Sequence, residues 1–195
     1  MEGTTLAECP SDFVGEFTVP DGVTDIKWWA FADCSLLTSV YIPEGVTAIG
    51  DCAFRECIRL ATVNIPSSVC RIGDSAFIGC RGLTSVRIPD SVSYIGRWAF
   101  ENCSGLTSIQ LPDGVREISG GTFSTCVNLA SAIVPKACSV DADAFPDSCK
   151  IFNTVTEYRA HLVKALVAER NGVDVVGMHA PQPEPVIDRT GGRDI

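Results

Sequence analysis

A period of 23 residues runs through most of the chain and limits what it can fold into. Cys34, Cys57, Cys80, Cys103, Cys126 and Cys149 are spaced by 23 without exception. Pro20, Pro43, Pro66, Pro89, Pro112 and Pro135 keep the same step, as do Phe31, Phe54, Phe77, Phe100 and Phe123, while Phe145 slips by one. A fixed period of roughly 20–50 residues marks a stack of similar units in which no unit can bury its apolar face alone. The ten cysteines are therefore read first by position, not by count. Most stand in one column of a repeat, and Cys is among the most buried residue types.

The segment from Ile88 to Gln110, IPDSVSYIGRWAFENCSGLTSIQ, stands for the unit. In Leu83–Ile88, Val86 and Ile88 alternate with Ser85 and Arg87, the period of a strand with one buried face. Pro89 lacks an amide donor and ends that strand. Val92 and Ile95 point inward from a second extended segment, and Gly96 marks the next bend. Ala99, Phe100 and Cys103 follow at one-turn spacing, which predicts a short helix or 3₁₀ turn. Stacked at about 4.8 Å, six such coils share a core about 30 Å long. The expected buried columns are Phe31, Phe54, Phe77, Phe100 and Phe123; Leu37, Leu60, Leu83, Leu106 and Leu129; and Cys34, Cys57, Cys80, Cys103 and Cys126.

This order of Ile-Pro, Ile-Gly, Ala-Phe, Cys and Leu resembles the BspA-type leucine-rich repeat, over roughly residues 14–155. The resemblance implies a binding surface, often on a bacterial or protist cell surface and acting in adhesion. The fold class expected is a leucine-rich-repeat-like solenoid: a right-handed coil with parallel β ladders, short helical or 3₁₀ turns and a C-terminal capping helix. The final unit departs from the pattern, with Cys138 in the Val column and one residue lost before Phe145, and irregular geometry is expected there.

Four regions follow. Residues 1–19 form an acidic, frayed end and a half-repeat cap, in which Val14, Phe17 and Val19 take the Leu, Val and Ile columns. Residues 20–153 form the solenoid of about six coils. Residues 154–172 form the capping helix, opened by the capping-box pattern Thr154-Val-Thr-Glu157 and faced by Val155, Tyr158, Leu162, Ala165 and Leu166. Residues 173–195, with Pro181, Pro183, Pro185 and the Gly191-Gly192 pair, read as an extended tail.

Chemistry is harder to find. The two histidines, His161 and His179, lie on the end helix and in the tail, without a nucleophile near them in sequence. No nucleophile elbow, zinc-protease, P-loop or dinucleotide motif occurs. Gly120-Gly121 occupies repeat positions and reads as a repeat variant, not a phosphate cradle. The expectation is no catalytic residue, no metal and no cofactor. A net charge of −9 argues against a nucleic-acid partner. No run of apolar residues is long enough for a membrane span. The opening MEGTTLAECPSDF lacks a basic start and an apolar stretch, so an intracellular, cytoplasmic location is expected, with the cell surface reserved for a fragment. Thiols are expected over disulfides for the same reason, a bridge between adjacent coils being the alternative.

What remains is surface. In a solenoid, constant columns build the core and variable ones meet partners. The outward strand columns carry Tyr41, Asn64, Arg87 and Gln110 beside Ser39, Thr62, Ser85 and Ser108. Trp29 and Trp98 share another column with Cys52, Ser75 and Gly121. A column that accepts Ser and Gly is not deep core, and exposed Trp is a favoured interface anchor; a ring lying over the neighbouring coil is the competing reading. The expected function is a non-catalytic protein–protein interaction scaffold with protein partners. The alternatives are an accessory subunit docked permanently in a larger assembly, through its solenoid face and tail, and a cell-surface adhesin fragment.

Overall fold

In the computed structural model, residues 4–6 and 8–170 are described, with side chains from residue 8 to residue 167. The chain winds into a parallel β-solenoid of about six turns closed by one helix. Coils 1 to 6 begin at Pro20, Pro43, Pro66, Pro89, Pro112 and Pro135. Two extended segments and one turn region make each coil three-sided.

Along the first side run β2 (Gly15–Thr18), β4 (Leu37–Tyr41) and β6 (Thr62–Asn64), then β9 (Ser108–Gln110), β11 (Ser131–Ile133) and β13 (Lys150–Phe152). These form two three-stranded parallel sheets, not one ladder. The second side carries β1 (Thr4–Leu6), β3 (Val23–Ile26), β5 (Ala48–Ile49), β7 (Arg71–Ile72) and β8 (Tyr94–Ile95) in one sheet. A separate pair on that side joins β10 (Glu117–Ile118) to β12 (Ser139–Val140).

The Phe column is fully buried from Phe31 to Phe123 and forms a stack of near-parallel rings, with centroids 4.8, 5.0, 5.1 and 5.3 Å apart. Each coil must advance by one strand spacing, so identical side chains fall into register and pack on their own copies. The thiol of Cys57 donates to the carbonyl of Phe31 at 2.9 Å, Cys80 to Phe54 at 3.1 Å, Cys103 to Phe77 at 3.1 Å and Cys126 to Phe100 at 3.0 Å. All ten cysteines are thiols.

The turn side is not helical. Coils 1 to 5 each make two β-turns whose third residue lies in the left-handed region, the type II arrangement. Ala30 N–H closes the first on Lys27 O at 3.3 Å with Trp29 at φ 61°. Cys34 N–H closes the second on Phe31 O at 3.2 Å with Asp33 at φ 60°. Cys52, Ser75, Trp98 and Gly121 repeat the first position, and Glu56, Gly79, Asn102 and Thr125 the second. Two left-handed residues per coil stop a 3₁₀ helix from propagating, and this corrects the expected helical turn.

Several other expectations are corrected. Residues 84–87, read as a strand, pair with neither β6 nor β9, and Val86 is only half-buried. Alternation fixes which side chains face inward; it does not bring the neighbouring backbone into bonding range. The N-terminal end is not wholly frayed, because Thr4–Leu6 pair in parallel with β3. Val14 is 69% exposed, since Gly15 takes the register opposite Leu37. Phe13 and Phe17 cap the stack instead, Phe17 standing edge-on to Phe31 at 5.1 Å. The sixth coil is irregular as expected, its turn having neither left-handed residue, but it stays in the array. Phe145 stacks on Phe123 at 5.0 Å, and Phe123 N–H reaches Ala144 O at 2.8 Å.

Helix α1 (Val155–Arg170) starts as expected, with Glu157 N–H on the Thr154 hydroxyl at 3.1 Å and Asn153 N–H on the Glu157 carboxylate at 2.9 Å. Tyr158 and Ala165 are buried, but Leu166 is 64% exposed and does not face the last coil. Residues 171–172 and the 173–195 tail lie outside the described residues.

Close stacking makes one glycine column a testable constraint. A Cβ on Gly73 would stand 2.7 Å from the backbone of both Asp51 and Gly50 in the preceding coil. Gly73→Ala is expected to destabilise the chain by about 1–3 kcal/mol through overpacking. A urea titration checks this, and an unchanged midpoint would contradict the spacing.

Candidate protein-interaction surface

The corner that joins the second side to the turn carries most of the exposed aromatic groups. Trp28 is 70% exposed, Trp29 47% and Trp98 45%, with Tyr94 on the adjoining strand at 42%. Trp29 and Trp98 sit at third turn positions with φ of 61° and 54°. A bulky residue in that region carries strain of the order of 1 kcal/mol, which Gly121 avoids in the same column. Packing holds both rings. The Arg55 guanidinium lies 5.1 Å from the Trp29 ring centre. A Cβ on Gly121 would collide with the Trp98 indole, so that ring lies over the next coil. Covering a neighbour and remaining half-exposed are thus both true of Trp98.

Beside this corner the second side is polar and tied together. Arg71 stacks on Tyr94 at 4.3 Å and pairs with Asp51 at 3.8 Å. The Asp74 carboxylate accepts Arg97 N–H at 3.0 Å and the Tyr94 hydroxyl at 3.3 Å. Burial first, then the Asp74 charge, pushes the Tyr94 hydroxyl above its ordinary pKa.

The first side holds the remaining sequence-selected residues. Tyr41, Thr62, Asn64, Ser85, Arg87 and Gln110 are exposed, and Ser39 and Ser108 are half-buried. Asn64 does a structural job. Its side-chain oxygen takes Ile42 N–H at 2.7 Å and its amide nitrogen donates to Ile42 O at 2.9 Å. Elsewhere on this side the main chain makes the first of these bonds, as in Val19 N–H to Tyr41 O at 2.9 Å. Asn64 therefore splints the ladder beside its gap and has fewer groups to offer a partner. Trp28, the most exposed tryptophan, shares its column with Asp51, Asp74, Arg97 and Gly120, and only its adjacency to Trp29 marks it in the sequence.

His161 packs on Phe152 with ring centres 5.1 Å apart, and burial with repulsion from Lys150 and Lys164 lowers its pKa. Among the described residues no group of three His, Cys, Asp or Glu is placed to hold a metal ion, and no helix is long and apolar enough to cross a membrane.

Residues 24–152 match the BspA type leucine-rich repeat region in six copies. The chain belongs to this family. Among solved structures, the BspA-type array is similar to a leucine-rich cell surface protein from Faecalibacterium prausnitzii, at 28% identity and TM-score 0.59, over 70% of this chain and 47% of that one. It is also similar to a leucine-rich repeat protein from Bacteroides ovatus, at 27% identity and TM-score 0.57, over 78% and 49% of the two chains. The pneumococcal vaccine antigen PcpA shares the fold at 23% identity and TM-score 0.70, over 84% and 42%. The chain thus spans about half the length of these bacterial structures. A comparison with curated proteins returned no match.

Proposed function

We propose that this BspA-type chain is a non-catalytic protein-binding module whose partner seats on the tryptophan corner. The observation that carries the reading is the presence of two half-exposed tryptophans, Trp29 and Trp98, in a strained left-handed position that cysteine, serine and glycine fill in the other coils. Strain of this kind is kept where surroundings over-determine it, often at binding sites. Trp29 and Trp98 are three coils apart, about 15 Å at one strand spacing per coil, a span suited to one protein partner. Tyr41, Arg87 and Gln110 on the first side form the competing surface, weakened as a platform by the gap between its two sheets and by Asn64's internal bonds.

Extract from the native source, passed over immobilised chain, tests the reading. Trp28→Ala/Trp29→Ala bait is expected to lose its partner about 30-fold or more, as for a hot spot of about 2 kcal/mol. Arg87→Glu bait keeps it and melts at nearly the wild-type temperature. The opposite pattern would move the partner to the first side, and no recovery by any bait would count against a binding role.

A second reading, a cell-surface adhesin segment, is favoured by the Faecalibacterium relative, itself a cell surface protein. The intracellular location expected from the N-terminal residues has no such support.

A further inference from the structure

The second side opens between coils 4 and 5. At the equivalent place in other coils, Thr47, Cys70 and Ser93 N–H each reach back one coil, to Thr24 O at 2.7 Å, Thr47 O at 2.9 Å and Cys70 O at 3.0 Å. Gly50, Gly73 and Gly96 do the same on Ile26, Ile49 and Ile72, at 2.9, 2.8 and 2.9 Å. The corresponding bonds from Arg116 to Ser93 and from Ser119 to Ile95 are not made, and β8 and β10 are not paired. A cleft of about 350 Å³ occupies the place, lined by Asp74, Tyr94, Ile95, Arg97, Arg116 and Glu117 among others.

The charges in the cleft are unequal in what they already do. Asp74 is engaged by Arg97 N–H and the Tyr94 hydroxyl, and Glu117 accepts the Ser119 hydroxyl at 3.3 Å. Neither the Arg97 nor the Arg116 guanidinium forms an ion pair or hydrogen bond within the described residues. On a chain of net charge −9, two arginines without partners beside two unpaired main-chain N–H groups form a local anion-accepting site. β8 and β10 still face each other within 8 Å, so the gap has no room for a further strand and takes a side chain at its mouth.

We propose that this cleft binds a side-chain carboxylate on an exposed segment of a partner protein, held between Arg97 and Arg116. Tyr94 supplies an aromatic wall beside it. The inference rests on the protein-binding reading and gives that partner a chemical character.

A fluorescein-labelled peptide, Val-Thr-Val-Glu-Val-Thr with blocked ends, is titrated into the full chain and followed by anisotropy. The same peptide with glutamine for glutamate is expected to bind at least 5-fold more weakly. Arg97→Gln and Arg116→Gln each weaken the glutamate peptide at least 5-fold and leave the glutamine peptide nearly unchanged; Arg81→Gln, whose residue pairs with Glu56, changes neither. Amide shifts in the wild-type chain provide a readout independent of variant folding, with the largest changes expected at Arg116 and Ser119. Equal binding of both peptides, absence of binding, or shifts confined to other coils would overturn the proposal. Failure here with continued loss of the natural partner in the Trp28→Ala/Trp29→Ala bait would remove the cleft and leave the tryptophan corner standing.

Discussion

Raising the pH from 8 to 10 under reducing conditions is expected to remove about 3 kcal/mol of stability or more. Burial pushes the thiols of Cys34 and Cys126 up to about 12 from 9.0, and those of Cys80 and Cys103 well above it. The Cys80, Cys103 and Cys126 thiolates would sit against Phe carbonyls and that of Cys34 against the Cys9 and Pro10 carbonyls, all fully buried, so the fold disfavours ionisation. A raised folded pKa means that the stabilisation is intact below the unfolded pKa, near 9, and is lost as pH climbs from there towards 12. At one pH unit above the unfolded pKa the Cys34 and Cys126 thiols each favour the unfolded chain by about 1.4 kcal/mol, about 3 kcal/mol together, and Cys80 and Cys103 act in the same direction. That is a large share of the stability of an ordinary domain, about 5–15 kcal/mol. Urea midpoints at pH 8, 9 and 10 measure it, and a flat profile would contradict the burial of the column. Iodoacetamide at pH 8 is expected to label exposed Cys70 first and the column thiols only after unfolding.

Phe77→Ala is expected to cost about 3–5 kcal/mol. The ring is fully buried and lies between Phe54 at 5.0 Å and Phe100 at 5.1 Å, tilted by only 4° and 7°. Removing it breaks both stacking contacts at once, and the coils cannot collapse into the space because their backbones are already one strand spacing apart. Leu83→Ala, in the neighbouring fully buried column, is expected to cost about 2–5 kcal/mol. A urea midpoint unchanged in both variants would mean that the coil register is wrong.

The buried columns were legible because burial repeats with the sequence: every coil that has Phe, Leu and Cys at the same step must treat them alike. Backbone conformation was less legible. Nothing in Ala-Phe-x-x-Cys distinguishes a 3₁₀ turn from two type II turns, and only Gly79 and Gly121 hint at the left-handed positions that Trp, Cys, Glu and Asn otherwise hide. Pairing was less legible still. Thr84–Arg87 carry the same alternation as Ser108–Gln110, yet only the latter join a ladder. Val14 and Leu166 failed for another reason. At the ends of a stack a column has a neighbour on one side only, so periodicity no longer dictates what is covered. The candidate surface was partly legible, because variability along a column is visible in one sequence, whereas the unpaired arginines of the cleft depend on bonds that are absent.

The two interruptions in the ladders do not coincide. On the first side the break falls at coil 3, and on the second it falls between coils 4 and 5. Coils 3 and 4 are still joined by β7 and β8, and coils 4 and 5 by β9 and β11. The joints are staggered as in brickwork, so no plane across the array is free of main-chain bonds. Pulled from its two ends, such a rod peels coil by coil from a terminus and does not snap in the middle. An array of this build opens a gap along its length without giving up tensile strength.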